Sequence, residues 1–507
     1  MAKVTQAGSD FDPTPSTGRF AGLTVRVESS VPAGSGAVGV LVGVGSPVPD
    51  ALTLDRATLA ASGFEAKPGQ ALLIPRQDGP SLVAVGIGDP ARLKGKTLRD
   101  AAAAFARAAG RHARLAMAPS EAMRVNPEIA GQVLVEGILL ARYHYDALKN
   151  HVAEVDLAEV ILVADAGSTD ALARGAERGR VFAAASALAR DLANTPPAHL
   201  TATRMAEVAA VLAAERGLGV EIFDRDALVE LGCGGLLAVN AGSVEPPRMI
   251  KLGYRPASGA ADAGHLILVG KGVTYDSGGI SLKPSDDAHA TMKVDMSGAG
   301  AVLAAMAALP ALGCPTRVTG YLMCTDNMPS GSAMKMGDVL TIHGGKTVEI
   351  FNTDAEGRLA MADALDLAVA ERPDAIVDNA TLTGACLRAL GDQVAGVFGN
   401  RQALVDQVIA AAGRTGEPVW QLPLDQRYRK QLDSTIADMK NIGGDFAGAI
   451  TAAQFLAEFV DDVPWAHLDI AGVAHSSAED AWRRKGGTGY GARLLIDLAL
   501  NFTRPHS

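Results

Sequence analysis

The chain has few cysteines, few aromatic residues and no long apolar run. Its four cysteines, Cys233, Cys314, Cys324 and Cys386, lack paired spacing, so neither a disulfide framework nor a cysteine-based zinc site is predicted. We expect buried, reduced thiols instead. The sequence contains no run of about 18 apolar residues that could span a membrane. Residues 1–18 are polar and lack the apolar core of a signal peptide. A cytoplasmic protein without a membrane partner is therefore expected.

Several common functional motifs are also missing. There is no GxSxG and no HExxH motif, and the glycine pairs Gly43–Gly45 and Gly86–Gly88 do not extend to a GxGxxG fingerprint. Acidic residues outnumber basic ones, 56 to 46, and the net charge of −10 argues against a protein built mainly to hold nucleic acid. A local basic patch is compatible with this balance.

With 507 residues, 48% of them apolar, the chain is too long for one ordinary core and predicts two domains. The first half contains strand-like runs and helical patterns. The strand-like runs are 37–44, 70–74, 82–87 and 160–164, and the helical patterns are 98–115 and 129–146. A long helical pattern at 171–193 follows and ends at the Pro196-Pro197 pair, which stops a helix. We place the boundary near Ser168, between an N-terminal α/β domain (1–168) with an assembly or regulatory role and a second domain (169–507) that starts with this linking helix.

The second domain alternates strands and helices. The strand-like runs are 267–269, 317–323, 348–351, 375–379 and 466–470, with helical patterns between them, notably 357–371 and 448–460. Such alternation predicts an α/β domain with a mostly parallel central sheet covered on both faces.

The run NTDAEGRL, residues 352–359, carries the strongest chemical signal. In extended backbone, Asp354 and Glu356 point the same way because they are two positions apart. Two carboxylates held together are costly unless a cation lies between them, and a divalent metal ion is the usual solution. The alternative is a polar turn before a helix, with Glu356 and Arg358 solvated.

A second cluster follows the buried strand at 266–269. Lys271, Asp276, Lys283 and Asp295 come after it in the chain. In an open α/β sheet, ligands collect beyond the carboxyl ends of the strands, where Lys271 and Asp276 are expected. Each residue alone has an ordinary structural explanation, such as a helix N-cap for Asp295. Taken together and in this order along the chain, these residues and the Asp354–Glu356 pair favour a metal site.

The motifs resemble those of the cytosol (leucyl) aminopeptidases, a family of two-metal exopeptidases. The strings are VGKGVTYDSGGISLKP (269–284), MKVDMSGA (292–299), NTDAEGRL, NATLTGA (379–385), DMKNIGGDFAGAITAAQFL (438–456) and HLDIAG (467–472). They cover the chain from about Leu188 to its end. The resemblance implies a small macro-domain-like N-terminal α/β domain, a larger catalytic α/β domain, and assembly as a homohexamer.

Residue by residue, the resemblance implies two adjacent divalent ions, Mn or Zn, with Mg as a further candidate. Asp276 and Glu356 would bridge both ions. Lys271 and Asp295 would complete the tighter site, and Asp354 the more exchangeable one. Lys283 and Arg358 would be catalytic residues that do not bind metal.

The residue types suit these roles. The charge of four carboxylates is balanced by two divalent ions. An amine binds metal only when neutral, so the pKa of Lys271 must be lowered by cations and desolvation. Lys283 would stay charged and stabilise the oxyanion, while a metal-bridging water would be the nucleophile. A bicarbonate held by Arg358 would take the proton of that water, because the planar guanidinium grips a planar oxyanion.

The resemblance also implies the substrate. One ion would bind the free α-amine of a peptide, so only a chain terminus fits, and an apolar pocket would favour residues such as leucine. The residues implied near this pocket are Met292, Thr381, Gly384, Ala471 and Ala474. Ala474 is smaller than its counterpart in some family members and would leave a roomier pocket.

Two other functions remain alternatives. A binuclear phosphoesterase also uses carboxylate-bridged metals, but such sites usually recruit histidines, and none lies in the metal motifs; the scattered His289, His343, His467 and His475 are expected to be surface or satisfied core residues. The other is a DNA-binding regulator on the same scaffold, either instead of catalysis or as a second role.

Overall fold

The computed structural model describes residues 11–118, 125–165, 167–257 and 263–505. The chain divides into two compact units. The N-terminal unit contains Thr14–Ala187 and Ser477–Lys485, and the C-terminal unit contains Leu188–Ser476 with the segments before residue 14 and after residue 485. The linking helix, α5 (Thr169–Asn194), starts just after the predicted boundary near Ser168, and the division into units falls inside it.

The N-terminal unit contains one six-stranded sheet. Its strands are β1 (Thr24–Glu28), β2 (Ala37–Gly43), β3 (Ala71–Ile74), β4 (Ser81–Gly88), β5 (Arg114–Ala118) and β6 (Glu159–Val163), and its helices are α1 (Pro15–Ala21), α2 (Arg56–Ala61), α3 (Gly95–Ala108) and α4 (Pro127–Ala141), followed by the first part of α5. The strand order is β1-β6-β5-β2-β4-β3, and only the pair β3–β4 is antiparallel.

Both faces of this sheet are buried. Along β2, Ala37 and Leu41 belong to one apolar cluster, while Val38 and Val40 belong to another. Successive side chains of a strand point to opposite faces, so the continuous apolar run of β2 is typical of a strand covered on both sides.

The C-terminal unit is larger. Its strands are β7 (Gly219–Phe223), β8 (Arg248–Tyr254), β9 (His265–Asp276), β10 (Arg317–Asn327), β11 (Val339–Thr341), β12 (Thr347–Glu349), β13 (Ala375–Ala380), β14 (Ala395–Gly399), β15 (Val419–Gln421), β16 (Met439–Lys440), β17 (Trp465–Asp469), β18 (His475–Ser476) and β19 (Gly486–Gly487). Its helices are α6 (Ala202–Arg216), α7 (Arg225–Leu231), α8 (Gly234–Asn240), α9 (Asp287–Ala290), α10 (Ser297–Ala308), α11 (Gly357–Ala370), α12 (Gly384–Leu390), α13 (Gln402–Thr415), α14 (Gly448–Ala457) and α15 (Ala492–Leu500).

An eight-stranded sheet forms the centre of this unit. Its order is β15-β14-β17-β13-β9-β10-β8-β7. The four middle strands, β17, β13, β9 and β10, are parallel, whereas β14 pairs antiparallel with β17 and β8 pairs antiparallel with both β10 and β7. The predicted α/β class with a mostly parallel central sheet is confirmed.

Two helices cover opposite faces at the middle of the sheet. Helix α10 is apolar on all sides, and its Ala299 backbone lies against Gly270 of β9. Helix α11 packs over Ile267 and Val269, the alternate positions of the same strand. Lys271 continues this second series, so its side chain points to the α11 face, at the carboxyl ends of the parallel strands.

Some predicted elements differ from the structure. The helix predicted at 98–115 ends at Ala108, and Leu115 lies in β5, because the chain turns after Ala109 and Gly110 and an apolar strand follows. The helix predicted at 129–146 ends at Ala141. The strand predicted at 348–351 is β12, which lies in a separate three-stranded sheet with β11 and β16.

All four cysteines are free and buried, as expected from their isolated spacing. No helix in the described parts of the chain combines the length and apolar character needed to cross a membrane.

Candidate metal and catalytic site

The candidate site lies where β9 and β13 end. Asp276 is the last residue of β9, and the next turn contains Gly278 and Gly279, both with positive φ, +88° and +66°. Only glycine adopts this backbone without strain, and it bends the chain sharply so that Lys283 returns to Asp276. A backbone hydrogen bond from Lys283 N to Ser277 O (2.9 Å) closes the turn.

Lys271 is the buried centre of one half of the site. Its Nζ lies 2.8 Å from Asp295 Oδ2 and 2.7 Å from Glu356 Oε1, and it donates to the Thr381 carbonyl at 3.0 Å. Thr381 Oγ1 in turn donates to Asp295 Oδ1 at 2.7 Å. Gly357 leaves room for this amine, because a Cβ there would lie 2.4 Å from Lys271 Cε.

Lys283 forms the other half. Its Nζ lies 2.8 Å from Asp276 Oδ2 and 2.5 Å from Asp354 Oδ1. Asp276 Oδ1 accepts hydrogen bonds from Gly278 N and from Asn327 Nδ2, both at 2.9 Å. Asp276 therefore has one oxygen fixed by neutral donors and the other turned toward the charged cluster.

Three carboxylates converge on one point. Oxygens of Asp276, Asp354 and Glu356 all lie within 4.8 Å of one another. The cluster thus unites two residues from NTDAEGRL with one from the upstream motif, and Lys271 links it to Asp295. All seven predicted metal and catalytic residues belong to the same C-terminal unit.

The charges of this cluster do not balance. Burial and the charge of Asp276 raise the pKa of both Asp354 and Glu356 above the ordinary values. Burial also raises the pKa of Asp295, against the opposing charge of Lys271. Four carboxylates and two lysine amines leave two negative charges unmatched, so the donor set fits divalent cations.

The two lysine amines are held in their charged form by the protein's own groups. Burial lowers the pKa of Lys271, but Asp295, Glu356 and Asp276 outweigh it and raise the pKa above the ordinary value. The pKa of Lys283 is likewise raised, since Asp276 and Asp354 outweigh its burial. Desolvation alone therefore does not make Lys271 neutral, and it could bind metal only if bound cations displaced its proton.

Arg358 is buried in the first turn of α11. Its Nη1 donates to the Asn441 carbonyl at 2.8 Å, and its Nε has no hydrogen-bond partner within the described segments. Burial lowers the pKa of Arg358 to about 10, although Glu356 and Asp469 act in the opposite direction. The side chain remains a cation at neutral pH.

Several residues that hold the site were not predicted as functional. Asn327, the last residue of β10, joins Asp276 to the Thr353 carbonyl, and Thr353 Oγ1 donates to the Gly278 carbonyl at 2.7 Å. Asp469, the last residue of β17, accepts from Thr383 Oγ1 at 2.6 Å and from the backbone N–H groups of Leu382 and Ala471. Both residues end strands of the central sheet, and that position is the signal that could have identified them.

The predicted pocket residues lie on segments around this site. Thr381 and Gly384 follow β13, whereas Ala471 and Ala474 follow β17, the neighbouring strand. Met292 begins the 3₁₀ turn Met292–Met296 that carries Asp295. The Thr381 hydroxyl donates its hydrogen bond to Asp295, so it stabilises the Lys271–Asp295 pair.

His467 is a core histidine. It is fully buried, and its Nδ1 lies 2.6 Å from Asp378 Oδ1, whereas its Nε2 has no hydrogen-bond partner among the described residues. His289 is partly exposed, and its ring stacks on Tyr275 with the centroids 5.9 Å apart.

Comparison with known proteins agrees with this geometry. The model of the cytosol aminopeptidase family, catalytic domain, matches residues 187–496, and the model of the family's N-terminal domain matches residues 54–151. A probable cytosol aminopeptidase of Syntrophotalea carbinolica is 46% identical over 451 residues, which cover 86% of this chain and 90% of the relative. Another, from Streptomyces coelicolor, is 42% identical over 501 residues, covering 91% and 94%.

A solved structure is similar along almost its whole length. The bottromycin maturation enzyme BotP in complex with Mn matches with a TM-score of 0.82 and 39% identity, over 92% of this chain and 99% of that chain. The catalytic-domain match spans more than half of the 507 residues, and the match to the Streptomyces coelicolor relative extends over both units. The chain therefore belongs to the cytosol aminopeptidase family, and it is a metal-dependent aminopeptidase.

Proposed function

We propose that the enzyme binds two divalent ions and removes apolar N-terminal residues, such as leucine, from peptides with a free α-amine. One observation carries this proposal: oxygens of Asp276, Asp354 and Glu356 lie within 4.8 Å of one another, and lysines contact all three. Carboxylates this close together repel one another and destabilise the fold unless cations lie between them, so the cluster is well suited to bind cations.

The ligand set is the one implied by the resemblance to the family. Asp276, Asp354 and Glu356, which form the cluster, would hold the two ions together with Lys271 and Asp295. Asp354 is the most exposed of the carboxylates, with 34% of its side chain accessible, which fits the more exchangeable site. Two ions of this kind, Mn or Zn, polarise a scissile carbonyl and lower the pKa of a water molecule.

Lys283 supplies the remaining positive charge. Two divalent ions and a neutral Lys271 would balance the four carboxylates, so the charge of Lys283 would be in excess. An excess positive charge beside the cluster stabilises a transition state in which negative charge develops on the carbonyl oxygen. Its side chain is 19% exposed, whereas that of Lys271 is 4% exposed, so Lys283 is the lysine that a substrate can reach.

Arg358 would hold a bicarbonate ion as the general base. Its Nη1 donates to the Asn441 carbonyl, which holds one end of the guanidinium. The buried Nε without a partner in the described part of the chain leaves a donor for a planar anion. Within the described segments, no histidine belongs to the carboxylate cluster and could replace such a base.

The preference for apolar N-terminal residues rests on the pocket residues implied by the family. Ala471 and Ala474 are small and lie beyond β17, and Gly384 has no side chain, so the space near them suits a branched aliphatic group. We also infer that the enzyme works as a homohexamer in the cytoplasm, because its relatives are named cytosol aminopeptidases and the resemblance of the motifs implies a hexamer.

The experiment compares two substrates that differ only at the α-amine. Metal-stripped protein is assayed on leucine amide and on N-acetyl-leucine amide, with Mn, Zn or Mg added back. We expect cleavage of the free-amine substrate alone, and only after metal is restored. Equal cleavage of both substrates, or activity that survives complete removal of metal, would contradict the proposal.

A further inference from the structure

Asn441 lies outside the metal ligands in sequence but next to them in space. It directly follows β16, the two-residue strand that pairs with β12, and β12 leads into the segment that contains Asp354 and Glu356. Asn441 is completely buried. A buried amide must find partners for its donors and its acceptor, so its hydrogen bonds show what it holds.

The Asn441 side chain forms hydrogen bonds with the backbone on both sides of Asp354. Its Oδ1 accepts hydrogen bonds from Phe351 N at 2.9 Å and from Asn352 N at 3.3 Å. Its Nδ2 donates to the Asn352 carbonyl at 2.6 Å and more weakly to the Ala355 carbonyl at 3.4 Å. One planar group thus satisfies four backbone groups of a five-residue segment.

The Asn441 backbone adds a further contact, because its carbonyl accepts the hydrogen bond from Arg358 Nη1. The segment 351–356 is neither helix nor strand, so no ladder of backbone hydrogen bonds holds it. Within the segment, Asp354 N bonds to Asn352 Oδ1 at 2.8 Å, and Ala355 N bonds to the Asn352 carbonyl at 3.3 Å. Contacts from outside complete the support: Thr353, in the middle of the segment, is bonded to Gly278 and Asn327, and Asn441 holds the residues on either side of it.

We propose that Asn441 is a positioning residue that holds the segment 351–358 in the conformation that brings Asp354 and Glu356 together and fixes Arg358. The proposal deepens the proposed function, since it rests on the same metal site. Both the acceptor Oδ1 and the donor Nδ2 of the amide are needed for this role. An aspartate keeps the acceptor for Phe351 N but loses the donor and places a further negative charge against the Asn352 carbonyl.

The test measures metal affinity and turnover separately. Mn binding to metal-stripped protein is followed by electron paramagnetic resonance for the wild type and for the Asn441→Asp and Asn441→Ser variants. Loss of a residue that orients metal ligands typically costs about 10- to 100-fold in affinity, and that weakening is expected for both variants. At saturating Mn, we expect kcat to remain lower than in the wild type, because Arg358 Nη1 donates to the backbone carbonyl of residue 441, whose position shifts when the side-chain hydrogen bonds of Asn441 are lost.

Asn400 provides a control at an exposed position. Its amide also joins two backbone groups of the same unit, donating to the Val463 carbonyl at 2.9 Å and accepting from Trp465 N at 2.8 Å, and neither of these bonds reaches the site. Asn400→Asp should keep Mn affinity and kcat at the wild-type values. An equal loss in this variant would show that the effect is not specific to the site.

Glu356→Gln separates this proposal from the proposed function. If Glu356→Gln weakens Mn binding and folded Asn441→Asp does not, the positioning role is wrong while the metal site stands. If neither variant changes Mn binding, the metal site itself is wrong. If Asn441→Asp and Asn441→Ser both fail to fold, Asn441 is a general folding residue and the proposal of a local positioning role is overturned.

Discussion

Lys271 and Lys283 have the same side chain and contact the same cluster, yet their surroundings differ. Lys271 contacts Asp295 and Glu356 and is buried among backbone atoms, whereas Lys283 contacts Asp276 and Asp354 and is partly exposed. A buried amine that gives up its proton can become a metal ligand, while an exposed amine keeps its charge at lower cost. The contrast predicts different consequences when each amine is removed.

We expect Lys271→Met to lose bound Mn and Lys283→Met to keep it. Removing Lys283 takes away one charged donor from the reacting carbonyl, and loss of such a donor lowers kcat by about 100- to 1000-fold. Metal content by mass spectrometry and kcat on leucine amide measure the two effects. Full Mn content in Lys271→Met would contradict its role as a ligand, and unchanged kcat in Lys283→Met would contradict its catalytic role.

At the scale of elements, close packing of α10 against the sheet positions Lys271. A Cβ on Gly298 would lie 2.0 Å from the Asn379 carbonyl oxygen and 2.9 Å from Lys271 N, and these backbone atoms cannot rotate away. A Cβ on Gly300 would meet only the mobile end of Met296 at 3.1 Å, with its next neighbours at 3.8 Å. The two glycines lie on the same helix, two positions apart, and differ in the atoms that they face.

Gly298→Ala and Gly300→Ala therefore form a matched pair. Each gains about 1 kcal/mol of helix propensity, but in Gly298→Ala the helix must shift away from β9 and β13, which costs about 1–3 kcal/mol. We expect Gly300→Ala to be neutral or stabilised, and Gly298→Ala to be destabilised and to bind Mn more weakly. Urea unfolding of metal-free protein measures the first effect and Mn titration the second. Equal stability of the two variants would contradict this account.

Elements with a strong local pattern were predictable from sequence. The run 266–269 and the helix that starts at Gly357 were predicted because apolar periodicity is strong there. The outer strands β7, β8, β14 and β15 were missed, and so was the exclusion of β12 from the central sheet. The edge strands β7 and β15 have one partner each and side chains that are exposed or half-buried, so their sequences carry a weak apolar signal. The sheet to which a short strand belongs depends on contacts distant in sequence.

The same distinction between local and long-range information explains which residues of the site were predicted. The carboxylates and lysines were predicted because their residue types and spacing carry the chemistry. Asn327 and Asn441 were not, because an asparagine is common in turns and only the folded chain brings each amide to a ligand loop. Candidate ligands can therefore be proposed from local sequence, while candidate residues that orient them are found only in the structure.

At the scale of the whole molecule, the metal ligands are unevenly distributed. Every proposed ligand lies in the C-terminal unit, and the N-terminal unit contributes none. The four carboxylates and two lysines of the site leave a negative excess, so cation binding should stabilise the unit that contains them. The N-terminal unit has its own apolar clusters on both faces of its sheet, so its stability should not depend directly on metal.

Mn should therefore raise the unfolding temperature of the C-terminal unit. At a free Mn concentration about 100 times the Kd, binding contributes about 2.7 kcal/mol, which corresponds to on the order of 5 °C for a unit of this size. Differential scanning calorimetry with Mn and with a chelator measures the shift, and where two transitions are resolved, only one should move. In Glu356→Gln the shift should shrink or vanish, because a carboxylate shared by both ions is lost. A shift of wild-type size in Glu356→Gln would show that Mn stabilises the protein from a different site, since a cluster that unites Asp276, Asp354 and Glu356 cannot keep its affinity without one of its three charges.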